Sequence, residues 1–119
     1  MTITRISVTE PPGPRMSRAV VNGNNVYLAG LTAQDTTQDI TGQTRQVLAA
    51  IDRFLGEAGS DKSKLLQAQI WLTDMKNYTA MNAVWNDWVD PKNPPARACI
   101  RSEFARPDFL IEIMVTATR

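Results

Sequence analysis

Histidine is absent from the 119-residue chain, and Cys99 is its single cysteine. The first absence removes the commonest metal ligand and the usual acid–base group of neutral pH, while the second excludes an internal disulfide and a thiolate metal cage. Zinc centres and serine–histidine triads are ruled out. An excess of either charge is also missing, since thirteen Lys and Arg stand against twelve Asp and Glu for a net charge of +1. No long-range field is available to gather nucleic acid or to coat an anionic membrane. No stretch approaches the ~20 apolar residues that span a bilayer, and Met1 to Pro14 lacks the basic-then-apolar pattern of a signal peptide. A reducing cytoplasm is the expected location.

What is present is ordinary globular material, 43% hydrophobic and 21% charged. The length suits one domain spanning residues 1–119, enough to bury roughly two-thirds of the unfolded surface. Internal repeats and low-complexity tracts are lacking, and the short proline-rich pieces Pro11 to Pro14 and Pro91 to Pro95 read as loops. Ala19 to Val21 and Val26 to Ala29 are β-rich runs around Asn22-Gly23-Asn24-Asn25, which predicts a hairpin.

From Asp39 the apolar spacing changes to three and four, through Ile40, Thr44, Val47, Leu48, Ile51, Leu55 and Ala58, with Gln43, Arg45, Gln46, Asp52 and Arg53 mostly on the other faces. An amphipathic helix closed by Gly59 is expected. Leu66, Ala68, Ile70 and Leu72 then alternate with Gln67, Gln69 and Trp71, as in a strand. A second helix follows, capped by Asn77, with Tyr78, Met81, Trp85, Trp88 and Val89 on one stripe, and Asp90-Pro91 ends it. Two further β-runs, Ala96 to Phe104 and Phe109 to Thr118, complete the order ββ(β)αβαββ. Two helices of about four turns cover one face of a sheet of five to six strands. The opposite face, on which Trp71, Met114 and Cys99 are expected, must meet solvent or another subunit.

Without histidine, chemistry falls to arginines, carboxylates, Cys99, tyrosines and backbone groups. Strand periodicity puts Arg97, Cys99 and Arg101 on one face, just after the rigid Pro94-Pro95. Such a guanidinium either receives a substrate carboxylate through paired hydrogen bonds or sits in a surface ion pair beside a structural cysteine. Glu112, between Ile111 and Ile113, is either an acid or base with a raised pKa or a solvent-facing residue paired to an arginine. Tyr27, Tyr78, Trp71, Trp85 and Trp88 read more readily as core than as ligand contacts.

Several segments, in order, resemble the reactive intermediate deaminase (Rid, or YjgF-like) family. They are Ser17-Arg18-Ala19-Val20, Gly42 to Leu48, Glu57-Ala58-Gly59, Trp71-Leu72-Thr73-Asp74-Met75, Met81 to Trp85, Pro95-Ala96-Arg97-Ala98-Cys99-Ile100 and Ile111-Glu112-Ile113, and together they cover nearly the whole chain. The resemblance implies an α+β, chorismate-mutase-like fold: a mixed sheet with two helices on one face, assembled as a homotrimeric barrel with ligand clefts between subunits. It implies hydrolysis of 2-imino acids or their enamine precursors to 2-oxo acids and ammonia, without metal or organic cofactor, and a small carboxylate metabolite as partner rather than nucleic acid or membrane. Arg97 would then clamp the carboxylate, backbone groups near Cys99 would contact the imine, and Cys99 itself would be a wall. A positioned water would attack the electrophilic carbon, and orientation with one polarised water supplies most of the acceleration.

The chain departs from the pattern of the active deaminases at several places. Their Gly-Pro-Tyr-Ser is here Pro14-Arg15-Met16-Ser17, so Met16 replaces a tyrosine that helps hold the water. Their Glu-Ile-Glu is Glu112-Ile113-Met114, so Met114 replaces the second, water-positioning carboxylate. Ala29-Gly30-Leu31 replaces Ser-Gly-Gln and makes the pocket floor less polar. The expected catalytic set is Arg97, Cys99 and Glu112, and the expected substrate contacts are Arg97, Cys99, Met16, Ser17, Gly30, Leu31 and Met114. Two functions follow from the resemblance: a divergent imine or enamine hydrolase, or a trimeric carboxylate-binding protein that has lost catalysis. The ribonuclease activity also associated with such chains is disfavoured by the neutral charge balance.

Overall fold

The computed structural model describes residues 2–119. Its six strands are β1 (Ile3–Val8), β2 (Ser17–Asn22), β3 (Asn25–Leu28), β4 (Leu65–Leu72), β5 (Ala96–Arg101) and β6 (Ile111–Thr118); its two α-helices are α1 (Ile40–Glu57) and α2 (Tyr78–Trp88). The strands form one mixed sheet in the order β1-β2-β3-β6-β4-β5. β1, β2, β3 and β6 pair antiparallel in turn, β6 pairs antiparallel with β4, and β4 pairs parallel with β5.

This order explains the one-sided layering. β3, β4 and β5 run parallel and advance across the sheet in one direction, with α1 and α2 as the crossovers. Right-handed crossovers taken in one direction deliver both helices to the same face. That face holds the core, where Val47, Leu48, Ile51 and Leu55 of α1 and Met81 and Trp85 of α2 meet Val26, Ile70, Leu72, Ile111, Ile113 and Val115 of the sheet. The other face has no helix and exposes Ile100 and Met114 beside Gln67, Gln69 and Trp71.

The local signals act as the sequence predicts at several places. Asn22 pairs with Asn25 across a two-residue loop in which Gly23 takes φ +62°, the positive value that a tight hairpin needs. Gly59 closes α1 at φ +80°, as expected, and Asp39, where the apolar spacing begins, proves to be its cap, accepting from Gly42 N at 3.0 Å. The strand bracketed after the hairpin in the expected order does not form; the added strand is β1, ahead of the hairpin, which pairs along β2 and is mostly exposed.

Other expectations are corrected. Gln43, placed off the apolar face of α1, is fully buried: its amide nitrogen donates to Gln38 O and Asp108 O at 3.1 Å, and its oxygen accepts from Leu110 N at 3.0 Å. The polar side chain substitutes for solvent at otherwise dry backbone groups, holding the segment before β6 against the start of α1. Leu66 is exposed and Leu65 buried, because the register between β4 and β6 shifts between Leu65 and Gln67. Asn77 makes no side-chain cap bond, and Asp74 instead caps the short 3-10 turn Met75–Asn77 that leads into α2. The helices are unequal, 18 and 11 residues, rather than both about four turns. The strand beginning at Ala96 ends at Arg101, and β6 begins at Ile111. These two strands are not neighbours, since β4 lies between them.

Candidate functional site

Arg97 lies on β5, the edge strand, opposite the buried Ala68 of β4, so its side chain shares the helix-covered face. There it meets α2. Its guanidinium donates to Asn82 Oδ1 at 2.7 Å and to the Tyr78 hydroxyl at 3.3 Å, and its carbon stands 5.5 Å from the centre of the Trp85 ring and 5.9 Å from that of Tyr78. Among the described residues no carboxylate pairs with it, because the ion pairs formed there join Arg53 to Glu57, Lys76 to Asp74 and Arg106 to Asp108. The surface ion pair weighed from the sequence is therefore not what holds Arg97. Neutral acceptors and aromatic faces orient the fork without cancelling its charge, and its remaining N–H groups have no protein partner among the described residues.

Sequence reasoning missed these supports. On the sequence alone Tyr78 and Trp85 belong to an apolar stripe, and Asn82 has no assigned part. The available signal was the helical i, i+4 spacing of Tyr78 and Asn82, which puts two hydrogen-bonding side chains on the same flank of α2.

Cys99 sits opposite Ile70 and packs against the core on the same face as Arg97, which corrects its expected place on the open face. Burial raises its thiol pKa, and the nearby Arg97 charge only partly offsets that. The sulfur stays a neutral thiol at pH 7, as a wall requires. Iodoacetamide is accordingly expected to alkylate Cys99 at pH 7 at least tenfold more slowly than free cysteine, as mass spectrometry of timed samples would show. Arg101, exposed at the end of β5, takes no part in the cluster.

Glu112 belongs to the other face. It lies opposite Trp71 of β4, and Met114 lies opposite Gln69, so both project from the sheet side that carries no helix. The carboxylate of Glu112 lies over the Cα of Gly30, where a side chain at position 30 would collide with Oε2. Glycine is needed here for close approach. Glu112 is half-buried, and burial alone pushes its pKa above the ordinary 4.5. A Gly30→Ala replacement should displace this carboxylate while the melting temperature changes by only a few degrees, as thermal unfolding of the variant beside the parent would show.

Leu31, beyond Gly30, exchanges backbone hydrogen bonds with Ile113 at 2.9 and 3.1 Å, and its side chain is buried in the core. Ser17 begins β2 opposite Val8, and the Met16 backbone N and O are bonded to Thr9. The chain thus brings together Gly30, Glu112 and Met114 around β6, and separately Arg97 and Cys99 on β5. It does not bring the two groups together, since β4 intervenes and Arg97 and Glu112 project from opposite faces. No group of three or more His, Cys, Asp or Glu side chains able to hold a metal occurs among the described residues, nor is any helix there long and apolar enough to cross a membrane.

A six-stranded mixed sheet with both crossover helices on one face, carrying on one edge strand a guanidinium without a carboxylate partner among the described residues, is a small α+β architecture shared with solved YjgF proteins. The chain belongs to the family described as endoribonuclease L-PSP, whose sequence profile matches residues 9–119. A RutC family protein of Haemophilus ducreyi is 41% identical over 115 residues, 97% of this chain and 95% of that one. A 3-aminoacrylate deaminase, RutC of Acinetobacter baylyi, is 33% identical over 92% of this chain and 90% of its own. The crystal structure of a YjgF family member from Neisseria meningitidis superposes with a TM-score of 0.93 at 41% identity, covering 100% of this chain and 96% of that one.

Proposed function

We propose that the protein hydrolyses 2-imino acids or enamine carboxylates to 2-oxo acids and ammonia, in clefts formed where the subunits of a homotrimer meet. The observation that carries this reading is the Arg97 guanidinium, fixed by Asn82, Tyr78 and Trp85 and left without a carboxylate partner. An oriented, uncompensated fork suits a small organic carboxylate, which it grips through two parallel hydrogen bonds. The 3-aminoacrylate deaminase among the relatives supports enamine carboxylates as a substrate class, although an enamine with nitrogen on C3 gives the 3-oxo rather than the 2-oxo acid.

Arg97 and Glu112 face opposite ways in one protomer, so a substrate that uses both is held by two copies. The helix-free sheet face, with Trp71, Ile100 and Met114, supplies the apolar surface on which copies associate. In such a cleft Arg97 of one copy fixes the carboxylate, and Glu112 of the next, lying against Gly30, orients a water toward the imine carbon. The water oxygen bonds to carbon, its proton passes by way of the carboxylate to nitrogen, and the resulting carbinolamine loses ammonia as the C=O forms. An enamine substrate first takes a proton on carbon and gives one up from nitrogen to become the imine. No electron acceptor or metal is required for this balance. Cys99 walls the cleft. Met16 and Met114, where active deaminases carry a tyrosine and a carboxylate, leave the water with fewer ligands and make turnover slower.

A second reading, a carboxylate-binding protein without turnover, is favoured by one feature: Met114 stands exposed on the Glu112 face and presents no polar atom able to hold a water. Both readings are tested by generating imines in place with an amino-acid oxidase and following 2-oxo acid release. Acceleration above the spontaneous rate supports hydrolysis. Its absence across several amino acids, together with a rise in melting temperature on adding 2-oxo acids, supports binding alone.

A further inference from the structure

A guanidinium can only donate hydrogen bonds, so Arg97 fixes the direction of the bond to Tyr78. The Nη2–H group donates across 3.3 Å, the phenolic oxygen accepts, and the phenolic hydrogen must point elsewhere. It finds no acceptor, since among the described residues the Tyr78 hydroxyl donates to no backbone or side-chain oxygen. Tyr78 is 38% exposed, so a ligand can reach that hydroxyl.

Two contacts fix where it stands. Tyr78 is the first residue of α2, led in by the 3-10 turn Met75–Asn77, in which Asp74 accepts from Lys76 N at 2.9 Å. Asn82, one helical turn on, takes the other arm of the guanidinium through Nη1–H at 2.7 Å. Both arms are thus held by one flank of α2, with the Tyr78 ring centre 5.9 Å from the guanidinium carbon. Each Nη atom keeps a second N–H and Nε keeps its own, and none of these has a protein acceptor among the described residues. The free O–H of Tyr78 therefore stands beside free N–H groups.

We propose that the Tyr78 hydroxyl is a further binding residue for the substrate, donating to the same carboxylate that the Arg97 fork grips; the proposal rests on the reading of Arg97 as a carboxylate clamp. Each carboxylate oxygen accepts more than one hydrogen bond, so a fork that takes one on each oxygen leaves room for an adjacent O–H donor. Accepting from a cation polarises the phenol and strengthens its O–H as a donor. A neutral third donor adds affinity without adding charge. It also favours a carboxylate, which accepts at both oxygens, over an amide, whose nitrogen end donates.

The test is titration of the isotope-labelled full chain with sodium pyruvate, a three-carbon 2-oxo acid, followed by amide shifts in heteronuclear NMR with sodium chloride as the blank. Tyr78→Phe keeps the ring and its packing and removes only the hydroxyl. It is expected to weaken pyruvate binding at least fivefold and to leave the melting temperature unchanged. Arg97→Lys is the background that separates contact from support: adding Tyr78→Phe to it should weaken binding by a further threefold or more. Equal affinity in Arg97→Lys and the double variant would make Tyr78 a support for the fork alone and overturn the proposal, as would parent-like affinity in Tyr78→Phe by itself. Either result leaves the clamp standing, provided that Arg97→Ala loses pyruvate. Parent-like binding in Arg97→Ala, or no binding to the parent up to tens of millimolar, would remove the clamp and this proposal with it.

Discussion

Replacing Arg97 with alanine is expected to lower kcat/KM for imine hydrolysis by about a hundredfold or more, the size of effect lost with a charge-assisted, two-pronged hydrogen bond. The loss should fall mainly on KM if the guanidinium holds substrate and transition state alike, and on kcat as well if it sets the angle of attack. Arg97→Lys should recover only part, because an ammonium keeps the charge but not the fork. The fold should survive, since Arg97 is only half-buried and neither of its hydrogen bonds belongs to the core. Equal kcat/KM for parent and Arg97→Ala, with melting curves alike, would remove the clamp from the mechanism.

Glu112→Gln is expected to cost a further large factor, about 10² in kcat, because the glutamine keeps the shape over Gly30 but cannot take a proton. The pH dependence has a definite sign. In the proposed mechanism Glu112 works as a base only when ionised, and burial raises its pKa, so kcat is expected to climb with pH through a midpoint above the ordinary 4.5 and then level off. The same burial works against stability: ionising Glu112 is harder in the folded chain, so folding is penalised above the ordinary carboxylate pKa and not below it. Glu112→Gln should therefore match the parent in melting temperature at acidic pH and equal or exceed it at pH 7. A variant less stable at pH 7 than at low pH, relative to the parent, would mean that the carboxylate has a stabilising partner.

Much of the fold was legible because its signals are local. Asp39, the three-and-four spacing from Ile40 and Gly59 bracket α1 without reference to the rest of the chain, and the Gly23 turn does the same for the hairpin. What escaped depends on distant partners. The β4 bulge that turns Leu66 outward is set by pairing with β6, some fifty residues later in the sequence. Gln43 looks polar to a helical wheel, and only the return of the chain through Asp108 and Leu110 makes it an interior residue. The Pro95-Ala96-Arg97 motif singles out Arg97 as the candidate clamp. It did not show that α2 supports it, since Tyr78 and Asn82 meet Arg97 only after the crossover folds back on the sheet. Cys99 was put on the wrong face because strand periodicity shows which residues share a side but not which side the helices cover.

The opposite projection of Arg97 and Glu112 has a genetic corollary. If every cleft borrows its cation from one chain and its carboxylate from the next, two dead alleles are not equivalent to one double mutant. Co-expressed R97A and E112Q chains would scramble within trimers, and about a quarter of the seams would inherit an intact half from each parent. Such a mixture should regain activity that neither allele has by itself, whereas a chain carrying both lesions should stay silent and, blended with wild type, should spoil the seams it shares.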